Sequence, residues 1–294
     1  MRRLVTLALV GTVAQLVDGS LGMAYGVTST TLLLTIGMAP ALASASVHMA
    51  EIGTTLMAGL SHSRFGNVDW RAVGLMTFPG AGGAFLGAVV LSSLDGELAK
   101  PWVAGILAGL GLYVLWRFLG RRQMRRTLNR PLSARFLLPL GLSAGFIDAV
   151  GGGGWGPVGT PTLLASGRLE PRKVVGTVDT GEFLVALGAS LGFLLSLSWS
   201  EIPLQTVGAL LAGGAVAAPL AAYLVRAISP RKLGVLAGAA ILLTNAGTLA
   251  LSLGIGGSLR VVLYGAILLV LSGLAGWRLW QVRGPRLAAR LAGQ

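Results

Sequence analysis

Apolar stretches separated by short polar or glycine-rich breaks run along almost all of the 294-residue chain. They lie at about 4–17, 20–36, 41–61, 70–93, 101–119, 134–148, 155–166, 172–197, 204–226, 231–253 and 258–281. Several of them reach the ~20 residues that an α-helix needs to cross a bilayer. The pattern therefore predicts an all-α polytopic membrane protein, multi-pass in the cell membrane and in contact with the lipid bilayer.

One break falls inside an otherwise apolar region, at GFIDAVGGGGWGPVGTP (145–161). Four consecutive glycines disfavour a helix, and Pro157 and Pro161 remove backbone donors. Broken backbone at membrane depth is tolerated where protein buries it or where it lines a wet cavity. The flanking arms of about 15 and 12 residues are too short to span comfortably. We therefore expect a re-entrant helical hairpin.

The chain contains an internal repeat with an offset of about 130 residues. VDGSLGMAYGVTSTTLLL (17–34) aligns with IDAVGGGGWGPVGTPTLL (147–164), so that Asp18 meets Asp148 and Tyr25 meets Trp155. One residue of slippage later, Pro40 meets Pro171 and Glu51 meets Glu182. The predicted organisation is a first half at 1–125, a second half at 130–253, and an extra C-terminal transmembrane helix with a basic tail at 254–294.

The arginines predict the orientation of the halves. Seven of them lie between 117 and 135, and four more lie at 278–290, at the end of the last apolar stretch and beyond it. By the positive-inside bias, both groups and the C-terminus are expected in the cytoplasm. Each half is then a hairpin plus three spans. Because this number of crossings is odd, the halves run in opposite directions, as in the inverted repeats of secondary transporters.

Charge and composition narrow the function further. The net charge of +13 comes from short basic flanks beside spans, which favours membrane topology over nucleic-acid binding. The chain has no cysteine and no phosphate-cradling GxxxxGK[ST] motif, so we expect no thiolate chemistry and no ATP drive. No cofactor and no metal site is predicted. The sequence is compatible with a homo-oligomer.

Ionisable residues inside apolar stretches are few, and they recur in both halves. Such residues are costly in a membrane and are functional candidates by default. The predicted proton-coupling or gating residues are Asp18, His48, Glu51, Asp148, Asp179 and Glu182. Two structural interpretations remain open for them. The cluster as a whole could hold helices together through hydrogen bonds, and Asp18 and Asp148 could cap helices.

The glycine run and its small-residue counterpart predict where a substrate binds. Backbone N–H groups at converging helix starts attract anions without a buried lysine, and nearby hydroxyls add donors. The predicted substrate-binding residues are Ser20, Gly22, Tyr25, Thr28, Gly152, Gly153, Gly154, Trp155 and Thr160. On this reading, Gly153→Val blocks anion binding in a protein that still folds.

GFIDAVGGGGWGPVGTP, RFGNVDWRAV (64–73) and PRKVVGT (171–177) resemble the TauE/SafE sulfite exporter family over essentially the whole chain. The resemblance implies a secondary transporter of a small sulfur-containing anion, sulfite or an organosulfonate. We expect proton coupling, with substrate bound near the midplane between the hairpins. The alternative is a cation/proton antiporter that uses the carboxylates. A serine hydrolase pairing Ser20 with His48 is disfavoured because the second half repeats neither residue, so the protein is not expected to be an enzyme.

Overall fold

The computed structural model describes residues 2–21, 23–119, 131–227 and 230–258, together with 264–266, 269 and 273. Within these ranges all regular structure is helical. The helices are α1 (Arg2–Leu21), α2 (Tyr25–Thr35), α3 (Pro40–Arg64), α4 (Trp70–Ser93), α5 (Gly96–Leu119), α6 (Ala134–Gly151), α7 (Trp155–Ser166), α8 (Pro171–Ser196), α9 (Leu204–Ala227) and α10 (Pro230–Ser252), with a 3₁₀ turn at Trp199–Glu201.

Five described helices are long and apolar enough to cross a membrane. They are α4, α5, α6, α8 and the 234–252 part of α10. The polytopic all-α prediction is therefore confirmed. The arginines at 121–130, most of the predicted helix at 258–281 and the basic tail lie outside the described residues.

The helix boundaries follow local sequence signals. Pro40 and Pro171 begin α3 and α8, because a proline in the first turn lacks only a donor that has no intrahelical partner. Asp69 caps α4, where its carboxylate accepts a hydrogen bond from the backbone N–H of Ala72 at 2.9 Å. These signals set the depth at which the polar residues of α3 and α8 lie.

Glycine lets several pairs of helices approach through their backbones. On α6, an ideal Cβ at Gly141 would collide with the carbonyl of Met76, and one at Gly145 with the carbonyl of Gly80, both on α4. On α1, Gly11 makes the corresponding close approach to the carbonyl of Leu210 on α9. Helix α4 also packs closely on α8, where Gly188 faces the carbonyl of Ala81. Such contacts leave no room for a side chain.

Helices α3 and α8 pack against each other in opposite directions. Gly59 lies against Thr180, and Asn67, just past the end of α3, lies against Gly176. Residue numbers therefore rise along one helix as they fall along the other. Helices α5 and α10 also run antiparallel, since Gly111 lies against Ile241 and Gly234 against Phe118.

Candidate functional site

The start of α2 touches the connection between α6 and α7 in the interior of the protein. The hydroxyl of Thr30 donates a hydrogen bond to the carbonyl of Gly152 at 2.5 Å. An ideal Cβ at Gly26 would lie 2.7 Å from the Cα of Gly153 and 3.0 Å from Oε1 of Glu51. The two breaks that the sequence predicts thus meet each other beside a buried carboxylate.

The backbone at this contact explains why glycine occupies it. Gly152 and Gly153 adopt φ values of 67° and 150°, which side chains other than glycine rarely tolerate. A Cβ at Gly153 would also collide with the backbone of Gly26 and Val27. The expectation that Gly153→Val leaves the fold intact is therefore wrong, because the added atoms meet backbone that cannot rotate away.

In the first half, Ala24 precedes α2 with a φ of 93°, in the left-handed region, and its side chain is only 4% exposed. A buried non-glycine residue in this region is strained, and strain of this kind is typical of functional sites.

Asp148 occupies the helix start that the sequence assigns to an anion. Its Oδ1 accepts hydrogen bonds from the backbone N–H of Gly154 at 2.6 Å and of Trp155 at 2.9 Å. The N–H groups of Gly152 and Gly153 bond to the carbonyl of Asp148. The prediction that these N–H groups point freely into a cavity is wrong, although the residues themselves remain substrate-binding candidates.

Asp18 makes the matching contact in the first half. Its Oδ1 accepts a hydrogen bond from the backbone N–H of Tyr25 at 3.1 Å. Both aspartates therefore lie in the first helix of their pair and cap the second, which is the capping role that the sequence left open.

The other oxygen of Asp148 holds His48. His48 Nε2 lies 3.1 Å from Asp148 Oδ2, and its Nδ1 lies 2.8 Å from the carbonyl of Ser44. His48 is fully buried and Asp148 is 1% exposed. A buried charge must be paired, so this contact joins α3 to α6 through a proton-bearing ring.

The six ionisable candidates form one group, which we call the acidic cluster: Asp18, His48, Glu51, Asp148, Asp179 and Glu182. Glu182 interacts electrostatically with Glu51, Asp148, Asp18 and Asp179. Glu51 also interacts with His48, and Asp18 with Asp179. Among the described residues no lysine or arginine is buried, and no three carboxylates or histidines converge in metal-ligand geometry.

Several buried polar atoms of α2, α3 and α7 have no hydrogen-bond partner in the described part of the protein. These are the hydroxyls of Thr28, Ser29 and Thr160 and Oε2 of Glu51, which is 2% exposed. Buried polar groups are normally paired, so such orphans are candidates for ligand contact.

The aromatic candidates use their polar atoms within the protein. The indole N–H of Trp155 donates to the carbonyl of Val178 at 2.9 Å, and the hydroxyl of Tyr25 donates to that of Leu210 at 3.4 Å. We therefore expect Trp155 and Tyr25 to line the site with their rings, without donating a hydrogen bond to a ligand.

Two substrate-binding candidates, Ser20 and Gly22, cannot be placed: Gly22 and the side chain of Ser20 lie outside the described residues. Conversely, sequence reasoning missed His62, whose Nε2 lies 3.2 Å from Oδ2 of Asp179. A signal was available. His62 follows His48 by fourteen residues, about four helical turns, which places both on nearly the same face of α3.

Apolar helices packed through glycine around an acidic cluster, of which His48, Glu51 and Asp148 are buried, define a polytopic membrane protein of the transporter class. Residues 7–248 match the family model described as sulfite exporter TauE/SafE, and the chain belongs to that family.

Two relatives come from Bacillus subtilis (strain 168). The chain is 54% identical over 252 residues to probable membrane transporter protein YtnM, covering 85% of this chain and 83% of that protein. It is 27% identical over 178 residues to probable membrane transporter protein YdhB, covering 60% and 71%. No solved structure matches the chain. The protein is therefore a membrane transporter of the TauE/SafE family.

Proposed function

We propose that the protein is a proton-coupled secondary transporter of a small sulfur-containing anion, sulfite or an organosulfonate, bound near the midplane between two re-entrant hairpins. The observation that carries this proposal is the contact of Gly26 with Gly152 and Gly153 beside Glu51. The proposal is also supported by the buried, unpartnered hydroxyls of Thr28 on α2 and Thr160 on α7, which are neutral donors.

If the cargo is an anion, the negative charge of the cluster favours coupling of anion transport to proton transport. Two like charges 4 Å apart at an effective dielectric of 20 repel by about 4 kcal/mol. An anion beside ionised Glu51 or Glu182 is therefore disfavoured, whereas a protonated carboxyl removes the repulsion and donates a hydrogen bond. Binding of the proton then strengthens binding of the anion and the reverse, and the two are transported together.

The inverted repeat is part of this proposal. Equivalent helices α3 and α8 run antiparallel, and so do α5 and α10, as two halves of opposite orientation require. Equivalent pairs, α1 on α9 and α6 on α4, also use glycine at the aligned positions Gly11 and Gly141. These features support a first half at 1–125 and a second at 130–253.

The test is uptake of radiolabelled sulfite by proteoliposomes with and without an imposed pH gradient. We expect the gradient to accelerate wild-type flux. Glu182→Gln should lose at least nine-tenths of this acceleration while retaining sulfite exchange at equal pH, and Glu51→Gln should lose less. Glu97→Gln is the matched control, because this substitution makes the same chemical change at a side chain that is 81% exposed and lies outside the cluster.

A wild-type flux that ignores the gradient would contradict proton coupling. Retention of full acceleration in Glu182→Gln would remove Glu182 from the coupling role.

The acidic character of the cluster favours one second candidate, a cation/proton antiporter. Five carboxylates and one histidine, without a buried lysine or arginine among the described residues, suit a monovalent cation. Replacing sodium by potassium in the same proteoliposomes separates the two: sulfite flux unaffected by the exchange favours the anion transporter, and proton flux that follows sodium without sulfite favours the antiporter.

A further inference from the structure

His62 lies in the last turn of α3, beyond the apolar stretch 41–61. Its Nε2 is 3.2 Å from Oδ2 of Asp179 on α8, and the two side chains are 26% and 21% exposed. The other histidine, His48, is fully buried. His62 and Asp179 are thus the ion pair at which the acidic cluster approaches the outside of the protein.

From Asp179 a continuous series of titratable groups leads inward. Asp179 interacts with Asp18 and with Glu182, which lies three residues further along the same face of α8. Glu182 in turn interacts with Glu51, the carboxylate at the contact of Gly26 with Gly153. The partly exposed imidazole of His62 is therefore linked to Glu51 through the electrostatic interactions of Asp179 and Glu182.

The surroundings of His62 leave Asp179 as its partner. Its Nδ1 is enclosed and has no hydrogen-bond partner among the described residues. Titratable and charged side chains on the elements packed against α3 are Asp179, Glu182, Arg172 and Lys173 on α8, Tyr25 on α2, Asp148 and Arg135 on α6, Arg71 on α4, and Glu97, Lys100, Tyr113 and Arg117 on α5; the described side chains of α9 include none. Only Asp179 faces His62 directly.

We propose that His62 and Asp179 form the proton entrance of the acidic cluster, on the side of the protein where α3 ends and Arg64 and Arg71 lie. This inference rests on the proposed proton coupling. Histidine suits the role because its ring changes charge near neutral pH. In the step itself, the Nε2–H bond of the imidazolium breaks and an O–H bond forms at Oδ2 of Asp179; a hydronium ion of the solvent then transfers a proton to Nε2 and leaves as water. His62 thereby acts as a relay residue and does not bind the cargo.

The chain holds only two histidines, which makes the test direct. NMR of the purified full-length protein, labelled with ¹³C at histidine ring carbons, should give two ring signals. His48→Gln or His62→Gln assigns them, and either variant alone suffices by elimination. The signal of His62 should titrate reversibly, whereas the signal of buried His48 should not follow the same curve.

The decisive comparison is the response of the His62 curve to the cluster. Asp179→Asn should move the midpoint of His62 to lower pH by about one unit, because a neutral amide no longer stabilises the imidazolium. Glu182→Gln should move it in the same direction by a smaller amount, and the exposed Glu97→Gln should not move it. A His62 curve that responds to Glu182→Gln no more than to Glu97→Gln would overturn the entrance.

Transport separates this inference from the proposed function. In proteoliposomes, His62→Gln should slow gradient-driven sulfite flux at least fivefold and leave exchange at equal pH unchanged. Full gradient-driven flux in His62→Gln, with a gradient-sensitive wild type, would overturn the entrance alone. A gradient-insensitive wild type whose His62 midpoint still responds to Glu182→Gln would contradict the proposed coupling and support the proton connection.

Discussion

At the scale of single residues, Asp148 joins two functions that are usually separate. One carboxylate oxygen satisfies the first N–H groups of α7, and the other holds His48. The group is therefore fixed by the backbone on one side while its partner can gain or lose a proton. A carboxylate in this position stabilises the helix start in the way that a bound anion would.

Substitutions at Asp148 should separate these two contributions. Asp148→Asn keeps an oxygen acceptor for the N–H groups of α7, so we expect a modest loss of stability. Asp148→Ala removes the cap, at about 1 kcal/mol, and leaves Nε2 of His48 buried without a partner, at about 1–3 kcal/mol. The measurement is the thermal unfolding midpoint in detergent followed by tryptophan fluorescence.

Asp95→Ala is the matched control, because Asp95 is an exposed residue that accepts from the backbone N–H of Glu97 without holding a buried partner. If the unfolding midpoint drops equally in Asp148→Ala and Asp95→Ala, the contact of Asp148 with His48 does not contribute to stability.

The sequence predicts which residues belong to the acidic cluster better than it predicts which of their side chains pair with each other. Depth and spacing identify Glu51 and Glu182, because charged residues stand out in apolar stretches. Pairing depends on how helices rotate and pack, and this places His48 on Asp148 and His62 on Asp179. Spacing along one helix cannot reveal a partner on another.

At the scale of elements, the helix boundaries follow the apolar pattern closely, and the break in the first hairpin does not. The sequence suggests a break near Asp18, yet α1 continues to Leu21 and the turn falls near Ala24. The second half has glycines at its break, whereas the first has a strained alanine, which propensity cannot predict.

The antiparallel packing of α3 on α8 can be tested by a cross-link in this cysteine-free chain. Gly59 and Thr180 are close enough for a disulfide, since an ideal Cβ at Gly59 lies 3.3 Å from the Cα of Thr180. We expect Gly59→Cys with Thr180→Cys to form a disulfide on oxidation, read out as a mobility shift after cleavage of an intervening protease site.

The control pairs Gly59→Cys with Leu191→Cys, an exposed position three turns further along α8. Equal cross-linking of both pairs would mean that α3 and α8 do not hold one register.

At the scale of the whole molecule, the inverted repeat stays a prediction with a direct test. The ends of α2 and α7 should face opposite sides of the membrane. Gly37, just past the end of α2, has a φ of 88° and is unsuitable for cysteine. Ile36, which is 48% exposed, replaces it. Ile36→Cys and Arg168→Cys should react with a membrane-impermeant maleimide from opposite faces in oriented vesicles.

Leu94→Cys is the same-side control for Ile36, because the adjoining Gly96 lies against Ala39 at 4.0 Å. Labelling of all three cysteines from one face would rule out halves of opposite orientation.

The all-helical organisation could be predicted from the length and apolar character of the stretches, whereas the division into two inverted halves stays a prediction from the repeat. The cargo was not predictable to the same degree. The acidic cluster suits protons and small charged solutes. The hydroxyls of Thr28 and Thr160 can hydrogen-bond many kinds of ligand and therefore do not single out one cargo.

The glycine contacts described for α4, α6 and α8 also limit how the molecule can move. Backbones in contact through glycine are closely packed, so we expect α4, α6 and α8 to move as one body, and α1 with α9 as another. Helix α3 lies between them and carries His48 and Glu51. Asp18 belongs to one body, whereas Asp148 and Asp179 belong to the other. A rocking motion between them would change the distances within the cluster itself, and under the proposed coupling each proton that arrives would change the force between the two parts.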